Sequence, residues 1–265
     1  MPKLMKKSLI RSDLCPYVFT YSEVSSTNRV AERLIEEKNK IGFAVVAESQ
    51  FAGEGQEKRI WESPQGGLWT SLVLQPQIEI SQLGIIPILS AVGIAKALET
   101  FGIKILLKWP NDILTRHNLK KLGGILVEAK VTHFSLNYLI IGIGLNINNT
   151  LDQYSRRLQD KITTVFEEYN KEIDLDRLLQ EIISQIEGLF KSLRFDGSHS
   201  ILEKWRKNDN IIGMRVSVQT PKGDYQGRVI DISQDAQLVL ENSRSKLIKI
   251  PTGTVLIQDN EKQGM

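Results

Sequence analysis

KWPNDILTRHNLKKLGGILVEAKV, residues 108–131, puts Lys108, Asn111 and Asp112 at the end of an apolar run and Lys120 and Lys121 just ahead of the glycine pair Gly123–Gly124. Pro110 biases the residue before it, Trp109, toward extended backbone. A strand, IKILLK, therefore runs into a tight polar corner. Lys108 is placed to meet a phosphate there, and Asp112 to orient an amine or hold a metal. A strand-end turn with solvated charges accounts for the same cluster. Lysines at a strand start are commonly a solvated edge. Beside residues without side chains, however, Lys121 is also able to lie along a ligand.

The surroundings of this stretch read as a mixed sheet. Upstream, Tyr17–Glu23 alternates as a strand, and VSSTNRVAERLIEEKNK is a helix with Ser25, Ser26 and Thr27 as N-cap candidates. GFAVVAES and GGLWTSLVLQ are apolar strands. SQLGIIPILSAVGIAKALETFG is a helix from Ser81, with Pro87 tolerated in its first turns. Downstream, NYLIIGIGLNI is a strand in which Gly142 and Gly144 clear one face for a ligand or another backbone, and Asn146 ends it. A long amphipathic helix capped by Asp174 follows.

After Asn210 the pattern becomes short strands and turns, so the chain divides into residues 1–209 and a small β-barrel over 210–265. Strands and helices do not alternate as βαβ units. The expected class is α+β, a mixed sheet flanked by helices.

Composition narrows the function. The net charge is +3 with 25% charged residues, and no dense basic stripe argues for a nucleic-acid surface. One cysteine, Cys15, excludes an internal disulfide and a Cys-based zinc cluster within the chain. His117, His133 and His199 have no ligand spacing. A reducing cytoplasm fits, and no segment reads as long and apolar enough to span a membrane. With no Ser-His-Asp or Cys-His pairing suggested, base chemistry falls to a carboxylate or to the substrate.

GEGQEKRIWESP, residues 53–64, is a glycine loop running into a strand. Gly53 and Gly55 let backbone N–H groups turn inward toward an anion. No Gly-Lys-Ser/Thr follows, so it is not a P-loop, and it is not a Rossmann fingerprint. A tight hairpin loop explains it as well. Ser25–Asn28, SSTN, reads by itself as a helix cap.

The order of these pieces is more specific than any one of them. SSTN, a glycine loop ending R-x-W-x-SP, KWPND, KLGGILVE, G-x-G-x-N and a small C-terminal β unit together resemble the biotin protein ligases, from about Tyr17 to the end. The resemblance implies an SH3-like C-terminal barrel and the catalytic fold shared with lipoate ligases. It implies biotin and Mg2+-ATP as substrates, biotinyl-5′-adenylate as intermediate, and a lysine of a biotin carboxyl carrier protein as acceptor. No long helical DNA-binding segment precedes Tyr17, so the expectation is the monofunctional type without nucleic acid. A homodimer through sheet edges is compatible with the family.

By that resemblance, Lys121, Asp112 and Arg59 are catalytic. Ser26, Thr27, Asn28, Gln50, Gly53, Lys121, Gly123, Gly124 and Gly142 meet biotin. Glu54, Gly55, Gln56, Arg59, Trp61, Lys108, Asn111, Lys121 and Asn146 meet ATP or the adenylate, and Asp112 is a candidate metal contact. The family loop reads GRGRRGR-x-W. Here Glu54, Gln56 and Glu57 replace three arginines, so that +3 becomes −2, and Arg59 alone stays in register. A leakier adenylate is expected. Two alternatives remain: a biotin-binding protein with lost or redirected ligase activity, and a lipoate or acyl ligase.

Overall fold

The computed structural model describes residues 3–132 and 135–257. His133 and the last residues of the chain lie outside them. Fourteen strands are described: β1 (Leu4–Leu9), β2 (Tyr17–Val24), β3 (Phe43–Glu54), β4 (Ile60–Ser63), β5 (Leu68–Leu74), β6 (Ile105–Lys108), β7 (Asp112–Thr115), β8 (Lys121–Thr132), β9 (Ser135–Leu145), β10 (Arg215–Thr220), β11 (Gly223–Ile232), β12 (Leu238–Glu241), β13 (Leu247–Ile250) and β14 (Thr254–Ile257). The α-helices are α1 (Thr27–Lys38), α2 (Ile86–Thr100), α3 (Arg156–Gln159), α4 (Val165–Tyr169), α5 (Leu175–Asp196) and α6 (His199–Arg206).

The main sheet has the order β1-β2-β3-β5-β9-β8-β7-β6, with β4 added to the far end of β3. β2 and β3 are parallel and the remaining pairs antiparallel, so the sheet is mixed as expected. Period-two alternation divides its two faces. Phe19, Val45, Val73 and Ile140 pack with Val30, Ala31 and Leu34 of α1. Their neighbours Val18, Ala44, Leu72 and Ile141 belong to the larger core that holds α2, α5 and α6.

Three expectations need correction. The first strand is β1, hidden in sequence because LMKKSL carries two lysines and five of its six residues are exposed. The second helix does not begin at Ser81: Glu79 and Gln82 form a capping box around a 3-10 segment, Ile80–Ile85, and α2 starts at Ile86 with Pro87 in its first turn. Proline fits there because that N–H has no helical partner. Finally, Ile80–Thr100 is long and apolar enough by composition to cross a bilayer. It is mostly buried, and α2 forms part of the larger core.

The C-terminal strands form a second antiparallel sheet, β13-β12-β11-β10-β14. Val216, Val218, Val229, Leu238 and Val255 from this unit join the same apolar cluster as α2 and α5. Arg206 of α6 holds Asp231 of β11 through two hydrogen bonds of 2.8 and 2.9 Å. The small sheet is thereby tied to the helical layer through both apolar and charged contacts.

Candidate active site

The α1 face of the sheet loses its side chains at one end. Along β9, Ile140 fills that face, while Gly142 and Gly144 continue it as bare backbone. β8 places Leu126 opposite Gly142 and Gly124 opposite Gly144. β5 sets Ser71 beside Gly142 and Trp69 beside Gly144. A cavity of about 480 Å3 opens over this floor.

The N-terminus of α1 forms one end of it. Ser26 occupies the N-cap position without a side-chain capping bond. The Thr27 N–H and hydroxyl both donate to Gln50 Oε1, at 2.8 and 3.1 Å. Gln50 Nε2 donates to Ser63 Oγ at 2.7 Å. Ser71 Oγ lies 2.7 Å from Thr27 Oγ1 and 2.5 Å from Asn28 Oδ1. Asn28 Nδ2 donates to Glu128. Ser63, Ser71 and Glu128 were missed by sequence reasoning. The available signal was the pair Thr70–Ser71 interrupting an otherwise apolar buried strand. The close fit of Asn28 also explains one glycine, since a Cβ at Gly142 would sit 2.5 Å from Asn28 Oδ1.

The opposite end is cationic. KWPND forms the corner between β6 and β7, with a cis Trp109–Pro110 bond and Lys108 paired opposite Asp112. Trp109 Nε1 donates to Ala236 O at 2.9 Å, fastening the corner to the C-terminal sheet. Asn111 Nδ2 donates to Ile125 O at 2.7 Å. Lys121 Nζ forms an ion pair with Asp112 and lies 5.2 Å from the centre of the Trp61 ring. Lys108 has no carboxylate partner among the described residues, and its pKa is lowered chiefly by burial, then by Lys121, against the opposing pull of Asp112.

The glycine loop forms the lid side. Arg59 Nη2 donates to Glu57 at 2.7 Å and to Thr254 Oγ1 at 3.0 Å, reaching the C-terminal sheet. Glu54 forms an ion pair with Arg29 of α1. Gly253, Thr254 and Val255 line the cavity together with Glu54, Gly55, Gln56 and Arg59. Trp61 lies on the glycine floor: Cβ atoms at Gly144 and Gly124 would approach its ring to 2.6 and 3.4 Å.

Nearly all the expected site residues reach this cavity, and two do not line it. A Cβ at Gly53 would meet Trp61 O at 2.5 Å, so this glycine serves the close pairing of β3 and β4. A Cβ at Gly123 would meet Leu145 Cδ2 at 2.5 Å, on the other face of β8. Asn146 lines the cavity but is committed internally: Nδ2 donates to Thr163 O at 3.0 Å and Oδ1 accepts from Tyr154 at 2.8 Å. Burial raises the Tyr154 pKa, so its hydroxyl stays protonated and can donate. Cys15 is buried away from this chemistry, and its thiol pKa is pushed up to about 12 by burial and by Glu187. Among the described residues no cluster of three potential metal ligands occurs, and Asp112 is held by Lys121.

The family model of the biotin/lipoate A/B protein ligases matches residues 21–146. The bifunctional ligase/repressor BirA of Bacillus spizizenii is 33% identical over 82% of this chain and 67% of its own length. Its counterpart in Bacillus subtilis is 31% identical over 86% and 70%. The biotin protein ligase of Aquifex aeolicus, solved with biotin and ATP, superposes with a TM-score of 0.78 at 27% identity, covering 92% of this chain and 99% of that one. The chain belongs to the biotin protein ligases.

Proposed function

We propose that the chain attaches biotin to a lysine of a biotin carboxyl carrier protein by way of biotinyl-5′-adenylate. The observation that carries this reading is the polarity of the cavity: neutral donors and acceptors from Ser26, Thr27, Asn28 and Gln50 at one end, and Lys108, Lys121 and Arg59 at the other. A ureido ring suits the first end because it needs neutral partners of both kinds. A carboxylate beside a triphosphate suits the second, where cations offset like-charge repulsion.

In the first step a biotin carboxylate oxygen bonds to the α-phosphorus as the bond to the bridging oxygen breaks, and pyrophosphate leaves. Lys121 bridges the carboxylate and the α-phosphate. Mg2+ enters with ATP as part of the substrate. In the second step the neutral amine of the acceptor lysine bonds to the mixed-anhydride carbonyl carbon. AMP leaves with the electron pair of the broken bond, and the amine proton passes to solvent or to Asp112. Asp112, already facing Lys121, is suited to orient that amine.

Residues 1–209 would carry this chemistry, and 210–265 would close one wall. The loop GEGQEKR lacks three family arginines, and a charge-assisted hydrogen bond from each would be worth about 1.5–3 kcal/mol. The adenylate should therefore leave faster than from an arginine-loop relative. Incubating a carrier domain with the chain, biotin and Mg2+-ATP, and weighing it intact, tests the proposal. A biotinyl increment that disappears with Lys121→Ala supports ligation. Biotin binding without any increment would favour the binding-protein alternative.

A further inference from the structure

The acids of the glycine loop raise a problem for a site that holds a nucleotide. Glu54 lines the cavity in which the phosphates would lie, and its charge there would repel them. Arg29 provides the answer. It follows Asn28 in the first turn of α1, so the turn that sets the neutral end of the cavity also aims a guanidinium across at β3. Its Nη2 forms the ion pair with Glu54. Arg29 is also a favourable charge for Glu32, whose pKa is raised by burial and then by Glu128 and Glu36, with Glu54 adding to the repulsion and Arg29 opposing it. Without Arg29, the repulsion between Glu54 and Glu32 would be uncompensated.

We propose that Arg29 is a positioning residue for the nucleotide: by neutralising Glu54 it lets an arginine-poor glycine loop stay closed over an anionic ligand. The inference rests on the ligase reading above. In physical terms the family's cationic loop is replaced by an acid and a compensating cation contributed from a helix. The other loop acid is disposed likewise, with Glu57 held by Arg59, which also reaches Thr254. The Arg29 and Glu54 side chains are 57% and 35% exposed, so the effect is a moderate one and is sensitive to salt.

The test is a double-mutant cycle read by biotin-dependent pyrophosphate release. Arg29→Ala should raise the KM for ATP roughly three- to tenfold, with kcat changed by less than about twofold. Arg29→Lys should recover most of the loss. Arg29→Ala/Glu54→Gln should bring KM back toward the wild-type value, a rescue that a packing defect would not give. The penalty in Arg29→Ala, taken as a ratio to wild type, should shrink in high salt. An unchanged KM in Arg29→Ala, or a double variant as impaired as Arg29→Ala, overturns the role of Arg29 and leaves the ligase reading intact. A wild-type chain that releases no pyrophosphate overturns both.

Discussion

Trp61 and Gly144 exclude one another's side chains: a methyl group on Gly144 would lie 2.6 Å from Trp61 Nε1. The indole is the movable partner, because Gly144 is fixed in register between β5 and β8. Its Nε1 is buried without a hydrogen-bond acceptor. The ring thus rests on the floor that a ligand would share, under the Lys121 ammonium.

Trp61 should therefore report ligand arrival. Trp69, Trp109 and Trp205 are at most 2% exposed, and of these only Trp109 lines the cavity, so a ligand-dependent change in acrylamide quenching should come chiefly from Trp61. Adding biotin and ATP should alter the signal in the wild type and leave Trp61→Phe nearly silent. Gly144→Ala should shift the ligand-free spectrum and cost about 1–3 kcal/mol by overpacking.

Lys121 and Asp112 should differ in which step they affect. Lys121→Ala should lower adenylate formation about 10²–10³-fold, the scale of losing a donor aimed at developing charge. Asp112→Asn should spare adenylate formation more than transfer to the carrier. Single-turnover quench-flow separates the two. Equal losses in both steps would refute an amine-orienting role for Asp112.

Lys108 sets a pH dependence. Burial lowers its pKa below 10.5, so it sheds its proton earlier than an ordinary lysine as pH rises. Between the folded and unfolded pKa values the folded chain binds fewer protons, so this group's contribution to stability rises with pH across that window. Under the proposed ligase reading, its contribution to phosphate binding would run the other way. The KM for ATP should climb as pH rises through the lowered pKa, and Lys108→Arg, which stays charged, should flatten the climb.

Trp109→Phe should uncouple the corner from the C-terminal sheet. Losing the 2.9 Å bond to Ala236 O leaves a buried acceptor and should cost about 1–3 kcal/mol, measurable by urea unfolding. Because Asn111 and Asp112 follow in the same corner, ATP affinity should fall as well.

Local order made much of the site readable. KWPND, KLGGILVE and the spaced glycines belong to single strands and corners, where neighbours in sequence are neighbours in space. The strand β1 was not readable because five of its six residues are exposed and its pairing with β2 depends on the rest of the sheet. The glycines needed the sheet for a different reason. Strand alternation puts Gly142 and Gly144 on one face but does not say what approaches it. In the structure Asn28 approaches the first and Trp61 the second, whereas Gly53 makes room for Trp61 O and the Ser63 and Gln50 side chains, and Gly123 for Leu145 and the Gly144 backbone.

The sequence by itself determined the mixed α+β class, the family resemblance, the small C-terminal β unit and a loop whose charge departs from that family. The class and the β unit depend on periodicity and turn residues, and the resemblance on short motifs and their order along the chain. Only the tertiary structure decided how the charges are settled. Arg29 and Glu54 stand 25 positions apart, Asn28 and Glu128 100, and Arg59 and Thr254 195. Electrostatic and hydrogen-bond energies depend on distance in space, which chain separation does not reveal. In the sequence the acidic loop looks ill-suited to a phosphate. In the fold its acids are paired, and the cavity keeps its cationic end.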